Sequence, residues 1–250
     1  MSNTKFQKEK IRELIWNTLK PYALPPFPIR GRIPNFKGAR EAAERLRGLR
    51  ERASAEVVKA NPDSPQRWAR LAALEEGKVL IMATPRLREG FLLIDPNEVP
   101  REKFKEASTI RGAFKWGRKL KTVDDLLNNV KRVDFVVEGS VAVDLEGRRV
   151  GKGAGYGDLE FGILTELGLM DVNVPIATTV HDVQVLEGPL PQDPWDVPLT
   201  FASTPTRLLK FKPLPRPRGV LWEALDERKL EEIPLLKELK GLRGGGAAGI

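Results

Sequence analysis

Cysteine is absent from this 250-residue chain, which excludes disulfides, thiolate metal sites and cysteine nucleophiles. Histidine occurs once, as His181 in "TTVHDVQV". That excludes a histidine-rich zinc site, and a Ser-His-Asp triad built on this one residue has no G-x-S-x-G elbow to supply its nucleophile. Apolar runs stay well short of the roughly 20 residues that span a membrane, and the opening "MSNTKFQKEK" has no secretory apolar region. A soluble, cytoplasmic protein is expected. Five tryptophans, ten phenylalanines and two tyrosines fall at no regular interval, so an aromatic stacking surface for RNA has no sequence support.

What the chain does have is positive charge. Lysine and arginine number 42 against 34 acidic residues, a formal net charge of +8 with a pI near 9.7. This attracts polyanions, which include nucleic acid, nucleotides and polyglutamylated substrates alike. Hydrophobic residues make up 41%, enough to bury a substantial core in one large domain or a domain with a smaller appendage.

Three regions can be read. In residues 1–54, "TKFQKEKIRELIWNTLK" places Ile11, Leu14, Ile15 and Leu19 at helical spacing, and Pro21 ends the helix. "PYALPPFPIRGRIPNFKGA" is too rich in proline for helix or central strand. It is expected to be an ordered coil anchored by Phe27, Ile29, Ile33 and Phe36, before "AREAAERLRGLRERAS" resumes a helix. In residues 55–212, short apolar runs alternate with helical stretches. Strands are predicted in "AEVVKA", "KVLIMATP", "RVDFVVE" and "VPIATTV". Helices are predicted in "SPQRWARLAALEEG" with Ser64 as N-cap and Gly77 as stop, in "TVDDLLNNV" capped by Thr122, and in "GYGDLEFGILTELGL". The alternation predicts an α/β fold with a mostly parallel sheet and helices on both faces, whose ligands sit beyond the carboxyl ends of the strands. In residues 213–250 a stiff basic "KPLPRPRG" leads to one or two helices packed on the body and a frayed "GGGAAGI" tail.

Residues 147–161, "GRRVGKGAGYGDLEF", set glycines at every second position from 151 to 157 before a helix. The G-x-G-x-x-G fingerprint fails, because its third glycine would fall on Tyr156 or Asp158. The P-loop pattern fails because Gly153, not Ser or Thr, follows Lys152. The physics of a phosphate cradle nevertheless remains: glycines admit backbone amides to an anion, a helix N-terminus points at it, and Lys152 adds charge. The alternative is a flexible glycine hairpin leading into a helix.

The stretch resembles the signature of the 5-formyltetrahydrofolate cyclo-ligase (methenyltetrahydrofolate synthetase) family, "D-x-x-G-x-R-[LI]-G-x-G-x-G-[YF]-Y-D". Asp144, Gly147, Arg149, Gly151, Gly153, Gly155, Tyr156 and Asp158 occupy the matching places. "RIPNFKGA", "ANPDSPQ", "ATPRLR", "VGKGAGYGDLE", "VHDVQV" and "TPTR" follow the family's methenyltetrahydrofolate synthetase domain-containing branch, so the resemblance spans roughly residues 5–210. It implies a three-layer α/β/α fold, ATP and Mg2+ as cofactors, and ATP-dependent closure of 5-formyltetrahydrofolate to 5,10-methenyltetrahydrofolate with release of ADP and phosphate.

The resemblance also assigns roles. Lys8 and Arg12, one turn apart on the first helix, would reach the ATP phosphates, the alternative being a solvated basic face. With them, Arg149, Gly151, Lys152, Gly153, Ala154, Gly155 and Tyr156 would form the nucleotide site, and Asp158 and Asp196 would serve the metal. The family's second metal-side aspartate, four residues on, falls on Thr200. Candidate substrate residues are Asp63, Gln66, Glu138, Tyr156 and His181. Here Asp63 and Gln66 of "NPDSPQ" stand where the family has an acidic pterin-binding stretch, and Glu138 stands where it has proline. His181 ends a strand, where it would face the ligand crevice or brace the fold. "RIPNFKGA" would clamp the nucleotide or brace the amino-terminal helices. These departures leave a second reading open: a non-catalytic nucleotide- or RNA-binding module derived from the same fold.

Overall fold

The computed structural model describes residues 3–245. Helix α1 (Asn3–Thr18) stops before Pro21, since a proline further on could neither donate its amide nor avoid the preceding turn. The proline-rich coil is ordered and carries a two-residue antiparallel ribbon of β1 (Ala23–Leu24) and β2 (Asn35–Phe36). Ile29, Ile33 and Phe36 are its buried anchors, whereas Phe27 is exposed: the ribbon turns it outward. The arginine-rich stretch divides into α2 (Ala39–Arg47) and α3 (Arg50–Ala53) at Gly48.

Strand β3 (Val57–Ala60) is followed by a 3-10 turn at Ser64–Gln66 and then α4 (Arg67–Glu75). Ser64 therefore does not cap the α-helix, because Pro65 commits the chain to the tighter turn first; the turn's own N-cap is Asp63. The chain continues through β4 (Val79–Ala83), β5 (Phe91–Ile94), α5 (Phe104–Ala107), α6 (Ile110–Trp116) and β6 (Arg118–Leu120). Helix α7 (Val123–Asn129) opens with a capping box in which Thr122 accepts from the Asp125 amide and the Asp125 carboxylate accepts in return. Then come β7 (Phe135–Glu138), a hairpin of β8 (Ala142–Asp144) and β9 (Arg149–Val150), and α8 (Tyr156–Glu166). Strands β10 (Ile176–Thr179), β11 (Val185–Leu186), β12 (Phe201–Ser203) and β13 (Leu208–Lys210) precede the last helices, α9 (Glu227–Glu232) and α10 (Pro234–Gly245). The first two glycines of the expected frayed tail thus close α10, and residues 246–250 lie outside the described residues.

The eight-stranded sheet runs β13-β12-β10-β7-β3-β4-β5-β6, parallel from β12 to β4 and antiparallel at both edges. Alternate side chains serve opposite layers. Val58, Leu80, Phe135 and Ala177 pack under α2, α4, α5 and α6, and Val57, Ile81, Val136 and Ile176 pack under α7, α8 and α10. This is a three-layer α/β/α arrangement. A third cluster joins Ile15 and Trp16 of α1, and Leu19 just beyond it, to Ile33, Phe36, Ala142 and Val150, which fixes α1 against the small β11-β8-β9 sheet. Among the described residues no helix is long and apolar enough to cross a membrane.

From β3 the chain adds β4 on one side and later β7 on the other. The loops leaving β3 and β7 therefore part, and a crevice opens beyond their carboxyl ends.

Candidate functional site

The glycine loop lies over that crevice, between β9 and α8. Gly153 and Gly155 have φ of +107° and +70°, values an L side chain rarely adopts, which is why the loop requires glycine there. Gly155 is the N-cap of α8 and offers no side-chain oxygen, so the first-turn amides of α8 have no side-chain cap. A helix N-terminus left in that condition attracts an anion through its free N–H groups and its dipole.

Cations surround the loop. The Arg12 Nε donates to the Gly151 carbonyl (2.7 Å), with its guanidinium also paired to Glu9 (2.9 Å). Lys8, one turn earlier, sits between Asp193 (2.7 Å) and Asp196. Both side chains are buried, each with 7% exposure, so neither belongs to a solvated basic face. Lys152 reaches across to Asp63 (2.8 Å). Arg149 donates to the Gly139 carbonyl (3.0 Å) and to Asp158 (2.9 Å), and its Nε is buried without a partner. From the far end of the chain, Lys229 donates to the Ala154 carbonyl and lies over the Tyr156 ring.

Burial pushes the Asp158 carboxyl above its ordinary range; Arg149 opposes this and Asp196 adds to it. Asp158 also accepts from the Val197 amide (2.9 Å). Asp158, Asp193 and Asp196 are oxygen donors of the kind magnesium takes, one or two at a time, alongside phosphate oxygens and water. Among the described residues, no group of three or more acidic or histidine side chains stands at metal-binding spacing. The donor set suits a metal shared with a phosphate better than one caged by protein alone.

A second set of charges lies where β3 and β7 end. Lys59 of β3 pairs with Glu138 of β7 (2.8 Å) and Glu160 of α8 (2.5 Å), all three fully buried. Burial works to lower the Lys59 pKa, but the two carboxylates more than reverse it. Burial pushes Glu160 up to about 7; Lys59 opposes this and Glu138 reinforces it. For Glu138 burial works upward too, yet Lys59 and Arg149 hold it below its ordinary value. Among the described residues the Glu138 Oε2 has no hydrogen-bond partner, and a Cβ on Gly157 would stand 2.5 Å from it. Glycine at 157 is what lets α8 approach this carboxylate.

These features line two clefts. The larger, about 620 Å³, holds Lys8, Arg12, Gly153, Asp193, Asp196 and Lys229. The smaller, about 480 Å³, holds Asn61, Asp63, Glu138, Tyr156 and Glu160. Arg149, Gly151, Lys152, Ala154, Gly155 and Asp158 line both, so the glycine loop and the start of α8 form the wall between them.

Two substrate candidates lie elsewhere. Gln66 is fully buried behind Gly139 of the smaller cleft, donates to Thr179 Oγ1 (3.1 Å) and lines neither cleft itself. His181 stacks on Tyr22 with centroids 4.3 Å apart, and its Nδ1 accepts from the Val183 amide. It braces the proline-rich coil. Thr200 lines neither cleft; its hydroxyl accepts from Ile176 N and Arg216. Asp193, overlooked at the sequence level, is the carboxylate that stands beside Asp196; the D-x-x-D spacing was its only signal. Lys59, Glu160 and Lys229 were overlooked as well, since each acts through partners distant in the chain.

A model of the 5-formyltetrahydrofolate cyclo-ligase family matches residues 5–205. The methenyltetrahydrofolate synthase domain-containing protein of Mus musculus is 37% identical over 240 residues, covering 93% of this chain and 63% of that protein. Its counterpart in Homo sapiens is 34% identical over 241 residues, covering 93% and 61%. The chain thus spans somewhat over three fifths of the length of these relatives. The NMR structure of Aquifex aeolicus 5,10-methenyltetrahydrofolate synthetase superposes with a TM-score of 0.51 at 20% identity, covering 86% of this chain and 97% of that one, a likeness of fold.

Proposed function

Since the chain belongs to the 5-formyltetrahydrofolate cyclo-ligase family, we propose that it binds Mg-ATP against the glycine loop in the larger cleft and 5-formyltetrahydrofolate in the smaller one, and couples the two. The observation that carries this reading is the shared wall. The two clefts adjoin along the loop, so a donor held in one and an acceptor held in the other would meet at its edge, and phosphoryl transfer depends chiefly on such positioning and on charge neutralisation.

In this reading ATP supplies the phosphoryl group that turns the formyl oxygen into a leaving group, so that N10 closes onto the formyl carbon as phosphate departs. The chain's own residues provide the setting. Lys8, Arg12 and the first-turn amides of α8 bind and orient phosphate oxygens. Asp158 and Asp196, with Asp193, offer carboxylates to Mg2+, and Lys8 and Arg149 are the cations that balance those carboxylates now. Asp63 and Glu138 present acceptors to the N–H groups of a pterin, and Tyr156 presents an aromatic edge to its ring.

The test is ATP-dependent appearance of the methenyl product's absorbance from 5-formyltetrahydrofolate with the purified chain, and its loss in Asp158→Ala. ATP binding without any product would transfer the chain to the non-catalytic nucleotide-binding reading. Absence of ATP binding would remove both.

A further inference from the structure

Lys229 lies outside the residues matched by the family, in the carboxyl-terminal extension, yet it is part of the glycine loop's surroundings. Its Nζ donates to the Ala154 carbonyl, stands 3.1 Å from where a Cβ on Gly155 would be, and lies 5.2 Å from the Tyr156 ring centroid. The side chain is half-buried, and burial holds its pKa below the ordinary lysine value, with Asp226 and Asp158 opposing.

The extension is fixed in place along α8. Arg216 donates to the carbonyls of Pro198, Val172 and Val174 and to the Thr200 hydroxyl. At the carboxyl-terminal end of α8, Glu166 accepts from the Val220 amide (2.9 Å) and the Trp222 indole (3.2 Å) and pairs with Arg243 (2.9 Å). Leu235 and Leu236 of α10 are fully buried in the core beneath α7 and α8. Anchored at one end of α8, the extension delivers Lys229 to the other end, beside Ala154 and Gly155, which line both clefts.

Its charge differs in kind from the others there. Lys8 pairs with Asp193 and Asp196, Arg12 with Glu9, Arg149 with Asp158, and Lys152 with Asp63. Of these five cations, Lys229 alone has no carboxylate within ion-pair distance among the described residues; its acceptor is a neutral carbonyl. A phosphate oxygen carries the opposite charge and is a stronger acceptor for an ammonium than a neutral carbonyl is.

We propose that Lys229 is a phosphate-binding residue of the nucleotide cleft, supplied by the carboxyl-terminal extension, which exchanges the Ala154 carbonyl for a phosphate oxygen of a nucleoside polyphosphate. This rests on the nucleotide reading of the larger cleft. The extension is then a working part of the site, and the residues that hold Glu166, Trp222 and Arg243 together are its support.

The test uses the full chain as wild type, Lys229→Gln and Lys229→Arg, with dissociation constants for Mg-ATP and adenosine measured by calorimetry. Glutamine can still donate to the Ala154 carbonyl, so the folding contact survives while the charge is removed; the unliganded melting temperature checks this. Lys229→Gln is expected to weaken Mg-ATP about ten- to a hundredfold, the range for losing a charge-assisted hydrogen bond. Adenosine affinity should stay as in wild type, and Lys229→Arg should remain within a few-fold of wild type for Mg-ATP. Wild-type affinity for Mg-ATP in Lys229→Gln overturns the assignment, and so does an equal loss for adenosine and Mg-ATP, which would make the lysine a packing residue. A wild-type chain that takes up no Mg-ATP overturns the nucleotide reading itself and the assignment with it.

Discussion

The two clefts on either side of the glycine loop are assembled by opposite means. The larger is built from pieces far apart in the chain: α1, the loop, the Asp193 to Asp196 turn and the extension. Its charges join one piece to another through ion pairs and a hydrogen bond to the loop. The smaller is built on the sheet itself, with a floor that includes two glutamates tied together by a buried lysine between β3, β7 and α8. Charges on mobile or peripheral elements can change partners when a ligand arrives. Charges locked into the core instead set the stability of the fold and the polarity of its floor, and an ion buried there is costly to leave unpaired.

The largest effect should follow from breaking the locked side. Lys59→Met leaves Glu138 and Glu160 buried and facing each other without their cation, a change of about 3–5 kcal/mol. At 2–4 °C per kcal/mol for a chain of this size, scanning calorimetry should show the melting temperature lowered by on the order of 10 °C. Adding Glu138→Gln and Glu160→Gln to Lys59→Met should recover much of the loss. A melting temperature unchanged in Lys59→Met would erase the distinction between the two sides.

Next comes Lys8→Ala on the exchangeable side, expected to weaken Mg-ATP binding by about 1.5–3 kcal/mol, measured by calorimetry. Because Lys8 is buried between two aspartates, the unliganded chain should also lose stability, which an exposed lysine would not cause. An affinity equal to wild type would remove Lys8 from the nucleotide site.

A smaller, pH-dependent effect separates the sides further. Burial raises Glu160 to about 7 from an unfolded value near 4.5, so the native state holds this proton more tightly than the unfolded chain does. The stabilisation is complete below the unfolded value and is lost as pH rises through the folded one. Relative to Glu160→Gln, which mimics the protonated form throughout, wild type should therefore lose stability between pH 4.5 and about 7.5. Thermal unfolding across that window checks the sign, and a wild type that gains on the variant as pH rises would contradict it. The smallest effect is expected for Lys152→Ala. That lysine is 41% exposed, and its pair with Asp63 should contribute no more than about 1 kcal/mol to chemical denaturation measurements.

The contrast also explains what could be read without a structure. Strands β3, β4, β7 and β10 announce themselves as apolar β-branched runs, and α8 and α7 by their glycine or threonine starts, because local sequence decides those elements. Strands β6, β12 and β13 are only three residues each, too short to leave a period, and the four-residue β5 lies among turn residues. At the site, the residues that share a contiguous motif, Arg149 to Asp158, were legible together. Asp193, Lys229 and the Lys59 triad were not, since their roles arise from contacts between segments that no spacing records. His181 shows the converse. A strand-end histidine can face the crevice or brace the fold, and what decides is a tyrosine from the proline-rich coil that stacks on it from outside the motif.

The bridge from Lys152 to Asp63 joins the two clefts, because one partner belongs to the wall and the other to the smaller cleft. Any ligand that draws Lys152 toward itself in the larger cleft frees the Asp63 carboxylate in the smaller one. Any compound that then engages Asp63 binds more favourably to the loaded protein than to the empty one. Thermodynamic linkage requires the converse in equal measure: the second compound must tighten the first by the same factor. Cooperativity between the two ligands would thus need no hinge and no change of fold, only one lysine leaving one aspartate.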